Sequence, residues 1–336
     1  MTTVYFATNR AEDATAVGGY GAKIVANDPG NIVYAVAQVD GIDLAVENSG
    51  KIAAITDKSP GVFSDAATNA IIGADKNLLI FIHGFANSFE DAIKRAAFNR
   101  EWFAASGQAA ADVIMIAFTW PSAGKLFAAP PHMPPDAYLA DQTMAGRSGY
   151  HLAFFLNVID QLCADFKQKH PTRRVFLLAH SMGNYALQAG VQSWFGQGGS
   201  PDLFFDEVFL AAGDERADSF ETPLGGRLSK LKDLANRISI YYSEKDVAMY
   251  LSTTINFDRR LGFDGPNDKH DAVQYPPTTF RMLDCTEVGD FDPLVPPDAT
   301  HQYYRRSKIV RADFVATMAN APKPPGGLID LPLPTV

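Results

Sequence analysis

The chain has 336 residues, of which 47% are hydrophobic and 20% charged, ordinary globular values that exclude an intrinsically disordered chain. Twenty-nine basic against 38 acidic residues give a formal charge of -9, with no Lys/Arg block, which argues against a nucleic-acid groove or a polybasic membrane surface. Two cysteines, Cys163 and Cys285, make no disulfide framework and no zinc spacing, and they read as buried apolar residues. No apolar run approaches the roughly 20 residues of a membrane span, and the N-terminus reaches charged residues before any apolar signal core could form. The expectation is a cytoplasmic protein without a membrane-spanning segment.

Along the chain, Thr3 to Ala7, Asn31 to Val39 and Lys51 to Thr56 read as strands separated by Gly, Asn and Asp turns, so residues 1–75 form a β-rich N-terminal extension. Asn77 to Ile82 is an apolar strand, followed by a helix from Ser88, where Ser88 and Asp91 have capping-box spacing. Asp112 to Phe118, Arg174 to Leu178, Glu207 to Ala211, Ile238 to Tyr242 and Phe280 to Asp284 continue the strands. Helices are expected over Ala140 to Lys169, Gly183 to Trp194 and Arg305 to Met318. Strands with too few polar positions for a wet face, alternating with helices, predict one α/β domain over residues 1–336. Its central sheet would be mostly parallel with helices on both faces. Residues 120–140, with four prolines between Ala128 and Tyr138, read as a loop over the sheet edge, and residues 322–336 as an extended C-terminal arm.

The sharpest local signal is Val175-Phe176-Leu177-Leu178-Ala179-His180-Ser181-Met182-Gly183-Asn184, a strand running into a small-x-Ser-x-Gly turn and then a helix. Small residues two before and two after the serine let the turn close tightly enough to lift the hydroxyl above the sheet. Ser181 is therefore the candidate nucleophile, and His180 is expected to pack away from it. Upstream, Leu78 to Ile82 ends in His83-Gly84-Phe85. The backbone N–H groups of Phe85 and Met182 can then converge on a carbonyl oxygen as an oxyanion hole, with Gly84 letting the backbone approach and His83 shaping the loop.

The order nucleophile, acid, histidine asks for an acid after a later strand. Asp246 follows Ile238 to Tyr242, and Asp214 follows the strand before it. Asp246 is the expected acid, Asp214 its rival, and Asp246 also stands where it could cap the next helix. Of the two downstream histidines, His301 lies past the last strand, whereas His270 sits in a polar loop among aspartates; His301 is the expected base. Trp120, after the strand beside the elbow, reads equally as a crevice wall or a core residue.

These residues resemble a family of bacterial α/β-hydrolases of unknown function within the serine-hydrolase and lipase superfamily. The resemblance is carried by Tyr5-Phe6-Ala7-Thr8-Asn9-Arg10, Phe81 to Phe89, Phe118-Thr119-Trp120-Pro121-Ser122, Ala179 to Asn184 and Tyr241 to Asp246. It implies an α/β-hydrolase fold, the triad Ser181, Asp246 and His301, and esterase-type activity, without a physiological substrate. The expected reaction is cleavage of small-molecule carboxylic esters of short to medium acyl chain, with His83, Gly84 and Trp120 near the substrate and no cofactor or metal. Phe85, Trp120, Leu126, Phe127 and Met133 would supply an apolar wall. Lipase, thioesterase, amidase and acyltransferase chemistry share this machinery, and a non-catalytic scaffold would share the fold.

Overall fold

The computed structural model describes residues 1–46, 48–123, 133–221, 226–291, 300–320 and 324–332. In chain order the elements are β1 (Thr2–Thr8), β2 (Arg10–Glu12), β3 (Tyr20–Ile24), β4 (Val33–Asp40), β5 (Lys51–Pro60), α1 (Asp65–Gly73), β6 (Leu78–Ile82), α2 (Phe89–Ala104) and β7 (Ile114–Thr119). There follow α3 (Pro135–Lys169), β8 (Val175–His180), α4 (Gly183–Gly196), β9 (Glu207–Ala211), β10 (Ile238–Tyr242), α5 (Val247–Asn256), α6 (Leu261–Asp264), β11 (Phe280–Asp284), α7 (Lys308–Ala319) and β12 (Gly327–Asp330).

Ten strands make one sheet in the order β12-β11-β10-β9-β8-β6-β7-β1-β4-β5. From β12 to β1 every pairing is parallel, and β4 and β5 append an antiparallel edge. The mostly parallel sheet expected from the strand–helix alternation is thus present, in the α/β-hydrolase architecture that the resemblance implies, with the strand-rich N-terminal extension at one edge. Strand periodicity sorts the side chains between two cores. Leu78, Ile80, Ile82, Leu177 and Ala179 face the core shared with α3 and α4, including Phe155, Leu156 and Trp194. Leu79, Phe81, Phe176 and Leu178 face the other core, shared with α2 and α7, including Phe98, Phe103 and Phe314.

Four local expectations are corrected. Residues 1–75 are not all strand and turn: α1 begins at Asp65, capped by Ser64, whose hydroxyl accepts from the Ala67 N–H. The proline-rich stretch does not stay irregular to Tyr138. Pro134 is the N-cap and Pro135 the first residue of α3, where a missing N–H costs nothing and a fixed φ suits the helix. The C-terminal arm contributes β12, which extends the sheet parallel to β11. The last helix starts at Lys308, capped by the Ser307 hydroxyl, after a 3₁₀ turn at Tyr303–Arg305.

Candidate active site

Strand β8 ends at His180, and the next residue, Ser181, sits at φ +55°, the left-handed region that non-glycine residues rarely occupy. The surroundings hold it there. The Ser181 N–H donates to the Ala211 carbonyl at 3.0 Å, and the Asp214 N–H donates to the Ser181 carbonyl at 3.0 Å. The Asn184 amide donates to the Ala179 and Ser181 carbonyls at 3.1 and 3.0 Å. A β-carbon at position 183 would lie 2.6 Å from the Ile82 carbonyl oxygen and 2.7 Å from that of His83, so the elbow needs glycine there. The loop after β6 presses equally close: a β-carbon on Gly84 would stand 2.6 Å from the Ser181 Cβ. Among the described residues, neither the Phe85 N–H nor the Met182 N–H has a protein acceptor.

His301 and Asp246 meet across 55 residues of sequence. The imidazole Nδ1 lies 2.7 Å from Asp246 Oδ2, and both side chains are buried. The other carboxylate oxygen, Oδ1, accepts from the Met249 N–H at 3.0 Å and so caps α5. Asp246 therefore combines the pairing and capping positions that the sequence offered as alternatives. Asp214, its rival, is engaged elsewhere. Its carboxylate accepts from the Tyr138 hydroxyl at 2.9 and 3.0 Å and from the Ser252 hydroxyl at 2.5 Å, and Arg260 Nε lies 3.7 Å away. Burial, reinforced by Asp214, pushes the Tyr138 hydroxyl well up, which keeps it a donor.

Two further histidines frame the site. The His180 ring packs on His301 at 4.6 Å between centroids and on Tyr304, with Nε2 3.2 Å from the His301 carbonyl oxygen. Burial, and then the neighbouring His301, hold its pKa well below the usual value, so it is a neutral ring donating to that carbonyl. On the other side, His83 accepts from the Trp120 N–H through Nε2 at 3.1 Å. Nδ1 therefore carries the proton and donates to the Gly84 carbonyl at 2.9 Å. Burial, with the positive charge of Arg10, keeps His83 neutral. Trp120 stacks on His83 with ring planes 6° apart and returns a bond from Nε1 to the His83 carbonyl. Fully buried, Trp120 takes the core alternative. It and His83 buttress the Gly84–Phe85 loop from behind, outside the cavity lining.

A cavity of about 690 Å³ joins Ser181, His301, Phe85, Met133 and Met249 to the β2–β3 hairpin, which contributes Arg10 and Tyr20. The hairpin is a lining the sequence reading missed, because its short, partly polar strands have weak periodicity. Leu126 and Phe127 lie outside the described residues. His270, in its polar loop, is not among the cavity's lining residues. Among the described residues no group of three His, Cys, Asp or Glu side chains forms a metal cluster, and no helix is long and apolar enough to cross a membrane.

Solved structures similar to this chain include the lin2722 gene product of Listeria innocua, at 12% identity over 76% of this chain and 98% of that one, with a TM-score of 0.34. Another is phospholipase PlaB of Legionella pneumophila in complex with thio-NAD, at 13% identity over 62% of this chain, with a TM-score of 0.26; the chain spans 38% of that protein. No curated protein matches the sequence. A family model described as alpha/beta hydrolase of unknown function (DUF900) matches residues 64–315, well over half of the chain, and the protein belongs to that family.

Proposed function

We propose that the protein is a serine hydrolase that cleaves small-molecule carboxylic esters of short to medium acyl chain, with Ser181, His301 and Asp246 as its triad. The observation that carries this reading is the 2.7 Å contact of Asp246 with His301, a histidine that lines the same cavity as a serine on a left-handed elbow. Asp246 fixes the imidazole with its proton on Nδ1, leaving Nε2 as the acceptor for the Ser181 hydroxyl proton. The Ser181 Oγ then attacks the ester carbonyl carbon, and the carbonyl oxygen gains charge opposite the N–H groups of Phe85 and Met182. Collapse expels the alcohol, which takes the proton from His301. Water, deprotonated by the same histidine, releases the acid and restores the serine. Thioesters and amides fit the same steps.

The fold makes hydrolysis of some kind the expected chemistry, and the ester assignment is tested by a fluorophosphonate probe, which labels only an activated serine. Wild-type protein should label at Ser181. Ser181→Ala should stay folded, lose labelling, and lose ester turnover by several orders of magnitude, because alanine fits the elbow but cannot attack. Labelling that survives in Ser181→Ala would sink the assignment. A folded wild type that neither labels nor turns over esters would favour the scaffold reading.

A further inference from the structure

Arg10 is 1% exposed, lines the cavity, and lies in β2, ahead of the family-matched stretch that begins at residue 64. Burying a guanidinium is costly unless its donors are used, and two of them are. Nη1 donates to the Gly21 carbonyl of the partner strand at 3.1 Å, and Nη2 donates to the Asn87 carbonyl at 2.8 Å. Arg10 makes no ion pair among the described residues; Asp141 and Asp91 act on it through space only. Burial brings its pKa down to about 9, which leaves it cationic at neutral pH.

What Arg10 grips is the far end of the loop that carries the proposed oxyanion donor. The Asn87 side-chain amide reaches back to the Gly84 carbonyl at 3.0 Å and the Phe85 carbonyl at 2.7 Å. Those contacts fix the peptide planes on either side of Phe85, and hence the direction of its N–H. The Asn87 N–H is held by the Ser122 hydroxyl at 3.2 Å, which in turn donates to Asp141 of α3. The root of the arginine is equally fixed: its own N–H donates to Thr8 Oγ1, which bonds the Thr119 carbonyl.

We propose that Arg10 is a positioning residue for the hydrolase reaction: from the N-terminal hairpin it clamps Asn87, and through Asn87 it sets the oxyanion loop. The inference rests on the triad reading above. It also assigns the β2–β3 hairpin a part in catalysis. A residue acting this way lowers the transition state more than it binds the ground state, so its loss falls on kcat rather than KM.

The test compares wild type, Arg10→Met, Arg10→Lys and Asn87→Ala for Tm, kcat and KM on a p-nitrophenyl ester, and the rate of fluorophosphonate labelling. Arg10→Met should lower kcat by about tenfold to a hundredfold, short of the loss of a whole oxyanion donor, and slow labelling in step, with KM within about threefold. Arg10→Lys, which keeps the charge but spans only one carbonyl, should fall between Arg10→Met and wild type. Asn87→Ala should resemble Arg10→Met although Arg10 is intact. Should Arg10→Met fail to fold, the Lys and Asn87 variants decide. Variants that lose Tm but keep the kcat and labelling rate of wild type would make Arg10 a fold clamp only and overturn the proposal. A wild type that does not label fails at the triad reading instead, which separates the two.

Discussion

Asp246 divides its work between its two oxygens, and substitutions can separate the halves. Asparagine keeps an oxygen to accept from the Met249 N–H and so preserves the cap on α5, but it presents an amide to His301, which favours the wrong tautomer. On the proposed mechanism Asp246→Asn should lower kcat by about 10³- to 10⁴-fold with Tm nearly unchanged, whereas Asp246→Ala should lose the same activity and also about 1 kcal/mol of capping. Asp214→Asn should do the converse, lowering Tm through the Tyr138, Ser252 and Arg260 contacts while labelling of Ser181 persists. Activity that survives in Asp246→Asn and collapses in Asp214→Asn would move the acid to the earlier strand. His180 gives a second prediction, in pH. Its folded pKa lies well below the ordinary 6.5, so between those values the unfolded chain binds the proton that the folded one refuses. The stabilisation is present above 6.5 and lost as pH falls towards the folded value, with a slope of up to about 1.4 kcal/mol per pH unit. Melting curves at pH 7.5 and 5.5 should show wild type losing more Tm than His180→Gln. Equal losses would mean that His180 is not held neutral.

Elements were legible in the sequence where their burial is uniform. Strands β6, β8, β9 and β10 have every residue buried, and such unbroken apolar runs between helices have one reading, a parallel sheet covered on both faces. The elbow was legible for a different reason: a tight turn restricts residue size at fixed offsets, so Ala179 and Gly183 carry the geometry in one dimension. The hairpin β2–β3 was not, because three and five residues give too little period to detect, and its order comes from Tyr20 packing on Phe6 and Phe89. Nor was β12, whose strand state depends on β11 being free to pair with it, a fact about sheet order rather than about Gly327–Asp330. The start of α3 was hidden by prolines that read as loop, although a proline in the first helical turn is harmless. At the site, the two acids follow consecutive strands, and the sequence preferred Asp246 by its position alone; the partners that differ between them lie far away in sequence, His301 for Asp246 and Tyr138 with Ser252 for Asp214.

At the scale of the whole molecule, the cavity, as the described residues line it, spans from the N-terminal hairpin to α5 and includes Ser181. Among the described residues Tyr20, Phe85, Phe89, Met133, Ala248 and Met249 give it apolar wall, while Ser88, Asp91, Arg95 and Gln302 interrupt that wall with polar groups. An acyl chain growing along the apolar side gains about 0.8 kcal/mol per buried methylene, roughly fourfold in kcat/KM, for as long as apolar wall continues. Once the chain passes that wall it lies against polar groups or solvent, where further methylenes add nothing and those that desolvate a polar side chain cost affinity. On the proposed function, a series of p-nitrophenyl esters from acetate to palmitate should therefore show kcat/KM rising over the first members and turning over at or below about eight carbons. Met249→Ala, which shortens the apolar side, should shift the optimum to a shorter ester and leave acetate hydrolysis within about twofold. An optimum at palmitate would mean that apolar wall continues well past these residues, and a lipase would then describe the enzyme better than an esterase of short chains.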